Sequence, residues 1–300
     1  MIGRVTQQGL QRASLVQLQD NISRMAQLQE RLTTGKVVLR PSDDPAATVD
    51  AMRLRADQRA TAQHARNAAD GDAWLTTVDS ALGEALTSLR RARDLTVQGA
   101  NTGSNGPSAR SAIANELRAT ADSLLETANT TYLGRSVFAG TSTKPAYTVE
   151  NGALTYNGHE GAEVLRQVSE TTSVRVDSSG ADVFGQDTGT EMSVFTLLRE
   201  IAQKVEDGDA DISNYLGKID SRMNAMLGEV GSVGTRHKQV LQAQDAISAR
   251  EITLTNQISS VEDADLAQTI VDLQIQEVSY QAALGATSRV LQPSLLDFLR

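Results

Sequence analysis

The sequence predicts a mainly α protein, a long antiparallel helical coiled-coil bundle built from both chain ends with a small inserted β-rich domain. Three observations predict this fold class. Apolar residues recur with heptad spacing in both halves of the chain. The 300 residues include only one Trp, five Tyr and four Phe, which are too few large aromatic side chains for a thick core. Alternating β-prone segments occur in the middle of the chain.

Charge and composition exclude several classes of function. The 37 acidic residues outnumber the 28 basic ones, and a net charge of -9 argues against nucleic-acid binding, which needs a concentrated positive face. The absence of cysteine excludes disulfides and thiolate chemistry. No stretch approaches the roughly 18 apolar residues of a membrane span, and the first residues lack the apolar run of a secretory signal peptide. These features alone predict a cytoplasmic protein without membrane insertion.

The two chain ends carry apolar heptads that predict helices with more apolar surface than one partner helix can cover. A second apolar stripe lies off these seams, at Val16 near the start and at Leu266, Ile275 and Val278 near the end. A helix that is apolar on two sides needs more than one neighbour, so the leftover surface predicts self-association or docking to another chain. The predicted assembly interface consists of Leu15, Leu18, Ile22, Met25, Leu32, Ile270, Leu273, Tyr280, Leu284, Leu295, Leu296 and Phe298.

Two adjacent carboxylates, Asp43 and Asp44, stand directly before Pro45. Proline suits the first position of a helix and a preceding aspartate can accept a backbone N–H, so a helix cap is the favoured interpretation. A metal site is the alternative, but only Asp50 and Asp57 are nearby acids, and neither has ligand-like spacing. A metal-dependent hydrolase using the pair stays as a remote alternative. The predicted cap and turn consist of Pro41, Ser42, Asp43, Asp44 and Pro45.

Three long helices are predicted for the bundle. Stepping by alternate threes and fours from Leu216 to Val261 meets mostly apolar residues, and one of the two heptad sites is apolar in every repeat. At about 1.5 Å per residue this helix would be roughly 70 Å long. Two helices with the same spacing, over residues 75–92 and 113–128, are predicted to face it. The Gly- and Asn-rich segment 99–110 between them is expected to reverse the chain.

The middle of the chain is predicted to form strands. Asn151-Gly152 lies between two β-prone runs and predicts a hairpin over residues 146–158, and residues 163–168 and 172–176 alternate as further strands. The helical pattern resumes at Val194. The predicted division is 1–40 and 256–300 as terminal segments that are disordered until assembled, 41–134 and 192–255 as the helical bundle, and 135–191 as the β-rich insert.

Other residues that could carry chemistry have structural interpretations. His64, His159 and His237 are far apart in the sequence and lack a catalytic motif around them. The glycines of segment 228–234 have no preceding strand, which a phosphate loop requires, so they are interpreted as close helix contacts or a flexible point. Trp74 is interpreted as a packing residue. We therefore expect no catalytic, cofactor or metal site, and no enzymatic activity.

Five segments together resemble the flagellin-like proteins. They are LTTGKV (32–37), PSDDP (41–45), YLGRSVFAGT (132–141), VEDADLA (261–267) and SLLDFL (294–299). The PSDDP form and the final segment are similar to the hook–filament junction family of these proteins, whereas flagellins themselves differ at both places. The resemblance spans nearly the whole chain.

The resemblance implies a structural role in the bacterial flagellum. It implies a thin ring of the chain's own copies between the hook, contacted through hook-associated protein 1, and the first flagellin subunits. The terminal segments would form the inner layer of the tube and the β insert would face outward. It also implies export by the flagellar type III apparatus without a cleaved signal peptide, with an export chaperone as a partner, and hence an extracellular location. A flagellin filament subunit and a helical signalling module are the alternatives.

Overall fold

The computed structural model describes residues 7–101, 106–150, 153–159, 161–188 and 191–291. Its helices are α1 (Gln7–Thr34), α2 (Pro45–Ala100), α3 (Pro107–Ala128), α4 (Gly180–Phe184), α5 (Val194–Asp207), α6 (Ser213–Glu262) and α7 (Leu266–Leu291), with a 3-10 turn at Ala210–Ile212. Its strands are β1 (Thr131–Tyr132), β2 (Arg135–Ser136), β3 (Tyr147–Glu150), β4 (Ala153–Tyr156), β5 (Leu165–Gln167) and β6 (Ser173–Arg175). The predicted fold class, mainly α with a small β-rich insert, is confirmed.

The described residues form two compact units. One contains the residues before Ala60 and after Arg250, from both ends of the chain, and the other is the continuous segment Ala60–Arg250. The long helices α2 and α6 each contribute residues to both units. The layer boundaries predicted from the sequence, at residues 40, 134, 191 and 255, stay predictions.

The heptad seam of α6 packs along one face of that helix. Within the segment 60–250, the fully buried seam residues are seven positions apart: Ile219, Met226, Val233 and Val240. The intervening seam positions are only half-buried. One set of heptad sites therefore supplies most of the buried contact of α6, as is typical of a helix that packs against neighbours on one side.

Helices α2, α3 and α5, together with buried apolar residues of the insert, supply the rest of the core of this unit. The predicted seam of α2, from Leu75 to Ala92, is buried, and so is that of α3, from Ile113 to Ala128. Helix α5 adds an apolar face that includes Leu198 and Ile201. It begins at Ser193, whose hydroxyl accepts the N–H of Thr196, a helix cap.

The described strands form three separate antiparallel hairpins. The first, β1–β2, begins at Thr131, before the predicted start of the insert. Strands β5 and β6 are shorter than predicted from 163–168 and 172–176. Directly before β5, the N–H of Val164 donates to a side chain, Asp177 Oδ1, over 2.7 Å, and not to the backbone of the opposite strand. At the other end the N–H of Val168 donates to Thr172 O across the turn.

A cluster of aromatic rings joins the insert to the helices. The Tyr147 ring lies 5.0 Å from that of Phe195 on α5 and 6.2 Å from that of Phe184 on α4. Its hydroxyl lies 2.7 Å from the carbonyl oxygens of both Gly180 and Gly185, and burial raises the pKa of Tyr147 far above its usual range. The chain's few aromatic residues are thus concentrated where helices and hairpins meet.

Candidate assembly surface

Helices α1 and α7, from opposite ends of the chain, pack against each other in antiparallel directions. Near the middle of the pair, Gln276 Nε2 lies 3.2 Å from Asn21 Oδ1. At the end of α1, an antiparallel bridge joins Lys36 to Asp263, directly before α7 begins. A polar pair inside a helix interface fixes which residues face each other, because a shift along the axis would leave both amides without partners.

The predicted apolar seams of α1 and α7 divide into two faces. The residues that face the partner helix are half-buried, and they are Leu18, Met25, Leu32, Leu273 and Tyr280. The alternate residues point outward and are exposed, and they are Leu15, Ile22, Ile270 and Leu284. The remaining predicted interface residues, Leu295, Leu296 and Phe298, lie outside the described residues.

The outward face of α7 is more apolar than its inward face. We call Leu266, Ile270, Val271, Ile275 and Val278 the α7 stripe. All five are exposed, and Ile275 and Val278 retain 59% and 66% of their accessible surface. The inward face instead includes the polar residues Thr269 and Gln276. Exposed large apolar residues concentrated on one helix in this way mark an interaction site. Val271 is the one member of the α7 stripe that was not predicted from the sequence.

A buried carboxylate at the end of α6 binds two cationic side chains, one between α1 and α2 and one on α2. Glu262, at the end of α6, has only 6% of its side chain exposed and accepts hydrogen bonds from Lys36 Nζ at 3.0 Å and Arg55 Nη2 at 2.6 Å. Burial opposes ionisation of Glu262, but the two cationic donors outweigh it and lower its pKa. The adjacent backbone is paired too, since the N–H of Val37 donates to Glu262 O and that of Ala264 to Gly35 O. We call this arrangement the Glu262 clasp.

The two adjacent aspartates bind backbone groups around the start of α2. Asp44 Oδ1 accepts the N–H groups of Ala46 at 3.0 Å and Ala47 at 2.9 Å, which is the geometry of a helix cap with Pro45 in the first turn. Asp43 Oδ2 accepts the N–H of Arg40 at 2.9 Å and so closes the preceding turn. Both carboxylates serve local structure in this arrangement.

The three histidines do not come together. His237 Nε2 lies 2.6 Å from Asp72 Oδ1, and His64 Nδ1 lies 3.4 Å from the carbonyl oxygen of Gln167. His159 is exposed on the insert. Within the part of the chain that the structure describes, no three His, Asp or Glu residues are placed to hold a metal ion.

The glycines of α6 do not have the contact role considered for them. An added Cβ at Gly228, Gly231 or Gly234 would meet no atom within 4 Å among the residues that the structure describes, apart from the backbone of α6 itself. The interpretation of close helix contacts is therefore wrong within the described part of the chain, where all three glycines are exposed, and the alternative of a flexible point stays a prediction.

Known proteins resemble this chain over most of its length. The family model for the bacterial flagellin N-terminal helical region matches residues 5–143, and that for the C-terminal helical region matches residues 216–299. Flagellar hook-associated protein 3 of Escherichia coli is 27% identical over 281 residues, which are 86% of this chain and 87% of that protein. Flagellin of Bacillus subtilis is 23% identical over 298 residues, 96% of each chain.

A solved structure shares the fold. It is a putative flagellar hook-associated protein from Vibrio parahaemolyticus, with a TM-score of 0.67 and 23% identity over 74% of this chain and 100% of that one. The chain belongs to the flagellin-like superfamily. It is accordingly a structural component of the bacterial flagellum that associates with other components of that organelle. Across the described residues, no helix is both long and apolar enough to cross a membrane.

Proposed function

We propose that the chain is a structural adaptor joining the flagellar hook to the filament. In this role, copies of the chain form a ring that contacts hook-associated protein 1 on the hook side and flagellin on the filament side. The hook-associated relatives and the PSDDP segment favour this position over that of a filament subunit.

The exposed apolar surface of α1 and α7 is the observation that carries the proposal. Fully burying one large aliphatic side chain contributes about 1.5–3 kcal/mol. The α7 stripe alone exposes five such residues on a single helix. Contacts with neighbouring copies would supply this burial, and a catalytic function would have no use for such a surface.

Deletion of the gene followed by electron microscopy of the cells tests the proposal. A junction adaptor predicts hooks without filaments and flagellin released to the medium, with both defects reversed by a plasmid copy. Normal filaments on the deletion strain would contradict the adaptor role.

The alternative role of a flagellin filament subunit fits the comparisons less well than the adaptor role, although a flagellin is similar to the chain over 96% of both chains. Copy number separates the two. An adaptor is present in few copies per flagellum, whereas a filament subunit makes up most of the protein mass of sheared filaments. Quantitative mass spectrometry of purified flagella measures this ratio directly.

We further propose that α1 and α7 become fully ordered only when neighbouring copies cover them. Burial at about 25 cal/mol per Å² then offsets the roughly 1–2 kcal/mol of backbone entropy lost per ordered residue. Hydrogen exchange on the free protein should show fast exchange along both helices and slow exchange in the buried part of α3. Strong protection of α1 and α7 in the free protein would contradict this.

The same role gives the chain its route and its location. A flagellar type III apparatus would export it in a largely unfolded state, kept from premature assembly by an export chaperone, to an extracellular position.

Replacing Asp43 and Asp44 with Asn tests the remote hydrolase alternative. A hydrolase would lose turnover with motility intact, whereas an adaptor has no turnover to lose and would show only a destabilised start of α2.

A further inference from the structure

The tip of the β1–β2 hairpin carries a leucine in an unfavourable conformation. Tyr132 pairs with Arg135, so Leu133 and Gly134 form the two-residue loop, with φ values of 49° and 76°. Positive φ at both positions defines a type I′ turn, where Asn, Asp or Gly is favoured. A leucine here is disfavoured by its Cβ and also leaves its side chain 80% exposed. Neither the local backbone nor contacts among the described residues account for it.

The hairpin holds this leucine in a fixed position. The ring of Tyr132 lies 5.3 Å from that of buried Trp74, and its hydroxyl lies 3.3 Å from Asp70 Oδ1. The guanidinium of Arg135 lies 5.5 Å from the centre of the Trp74 ring. The residues on both sides of the turn are therefore anchored to α2, and Leu133 projects from a rigid base.

An apolar groove lies elsewhere in the same compact unit. It is formed by α2, the turn after β5 and the later part of α6, and its volume is about 410 Å³. The residues that matter here are His64, Val168, Glu170, Ala243, Ala246 and Ile247. An apolar cavity of about 150 Å³ already holds a benzene-sized group, so the groove has room for an isobutyl side chain. Since Leu133 is mostly exposed, it does not occupy the groove of its own copy.

We propose that Leu133 of one copy inserts into this groove on a second copy of the chain. Arg135 stands beside the inserted residue and would pair with Glu170 of the groove, in an orientation that keeps it away from Arg250, which also lines the groove. The two surfaces are different parts of the molecule, so the contact is head-to-tail and repeats from copy to copy. A contact of this symmetry builds a ring where the rotation between copies closes, as the proposed function requires. The inference rests on the proposed function in one respect: the proposed ring places a second copy of the chain next to the first.

Cysteine cross-linking tests the contact directly, because the natural chain contains no cysteine. The deletion strain would express two versions of the chain, L133C and an affinity-tagged A246C, and its flagella would be treated with a short bismaleimide. Ala246 and Ala225 are both exposed alanines of α6, but only Ala246 lines the groove, so A225C is the matched control. We expect at least tenfold more mixed dimer with A246C than with A225C. Equal yields would overturn the proposal.

Two single variants give an independent readout. L133N relieves the turn, so we expect it to raise the Tm of the purified chain by about 2 °C while reducing the number of filament-bearing cells several-fold. A246E should give a similar loss of filaments without lowering the Tm. L133N cells with a normal number of filaments would overturn the proposal, whatever their Tm.

A third outcome would also overturn the proposal. If L133N loses filaments but L133C and A246C form no mixed dimer, the leucine binds a chain other than a second copy. The deletion phenotype is scored separately. Bare hooks in the deletion strain together with equal cross-linking yields would reject this contact alone, leaving the adaptor role in place.

Discussion

At the scale of single residues, the Glu262 clasp joins segments that are distant in sequence. Lys36 and Arg55 reach the same carboxylate oxygen, at 3.0 and 2.6 Å, although they stand more than 200 positions before Glu262 in the chain. A charge-assisted hydrogen bond is stronger than a neutral one, and a buried carboxylate without such partners would be unfavourable. We therefore expect the clasp to be a main stabilising contact of the unit that contains the chain ends.

The clasp predicts a pH dependence of stability. The folded pKa of Glu262 lies below the ordinary value of about 4.3, so its contribution is complete above that pH and disappears as the pH falls through the folded pKa. We expect E262Q to lower the free energy of unfolding by about 1–2 kcal/mol at pH 7. The difference from the natural chain should become smaller at an acidic pH below that ordinary value. Urea titrations at several pH values measure this.

Glu251 provides the control for that experiment. It is exposed and lies on α6 in the same compact unit. E251Q should leave the free energy of unfolding nearly unchanged at both pH values. Equal effects of E251Q and E262Q would show that general charge, and not the clasp, sets the pH dependence.

The cap of α2 gives a second prediction. D44A removes the acceptor for the N–H groups of Ala46 and Ala47, so we expect it to lower stability by about 0.5–2 kcal/mol. D44N retains a side-chain oxygen at the same place and should lose much less. Thermal unfolding followed by circular dichroism measures both variants. A loss in D44N as large as that in D44A would mean that the charge of Asp44, not its capping bonds, matters.

At the scale of elements, periodicity predicts which side of α6 stabilises the bundle. Met226 is fully buried and the adjacent Leu227 is largely exposed, although both are large apolar residues of the same helix. M226A should lower stability by about 2–4 kcal/mol because it leaves a cavity. L227A should change stability by less than about 0.5 kcal/mol. Chemical denaturation of the two variants compares them, and equal losses would contradict a one-sided seam.

The elements also show how far sequence reasoning reaches in this protein. The seams of α2, α3 and α6 were predictable, because burial on a helix repeats with a fixed period, and the β3–β4 hairpin was predictable from Asn151-Gly152. The Glu262 clasp was not, since no local pattern indicates which distant residues will meet. Leu133 also gave no signal, because Leu-Gly is not a preferred sequence for a two-residue turn. Tertiary contacts decide the clasp, and the contacts of Tyr132 and Arg135 with α2 hold the turn in which Leu133 lies.

At the scale of the whole molecule, the exposed apolar stripe of α7 predicts a separation between folding and assembly. The double variant I275E/V278E places two charges on surface that is already exposed in the single chain. We expect its Tm to stay within about 2 °C of that of the natural chain, while filament attachment is lost, because a charge buried at an interface without a partner is unfavourable. Motility assays and electron microscopy of the complemented deletion strain measure the second effect.

Ser279 provides the matched control. It is exposed and lies next to Val278 on the same helix, but it is polar and is not part of the α7 stripe. S279E should support normal filaments. Loss of attachment in S279E as well would show that any added negative charge on α7 prevents assembly, and the specific role of the apolar stripe would then be wrong.

The seven-residue spacing of the buried positions in α6 restricts how this helix can vary among homologous proteins. Adding or removing one residue would rotate everything beyond that point by about 100°, and the buried side chains would no longer face their neighbours. A change of seven residues returns the later part to nearly the same direction, with a drift of about 20° that slight supercoiling absorbs. We therefore expect insertions and deletions in this helix to come in whole heptads, so that its length is quantised.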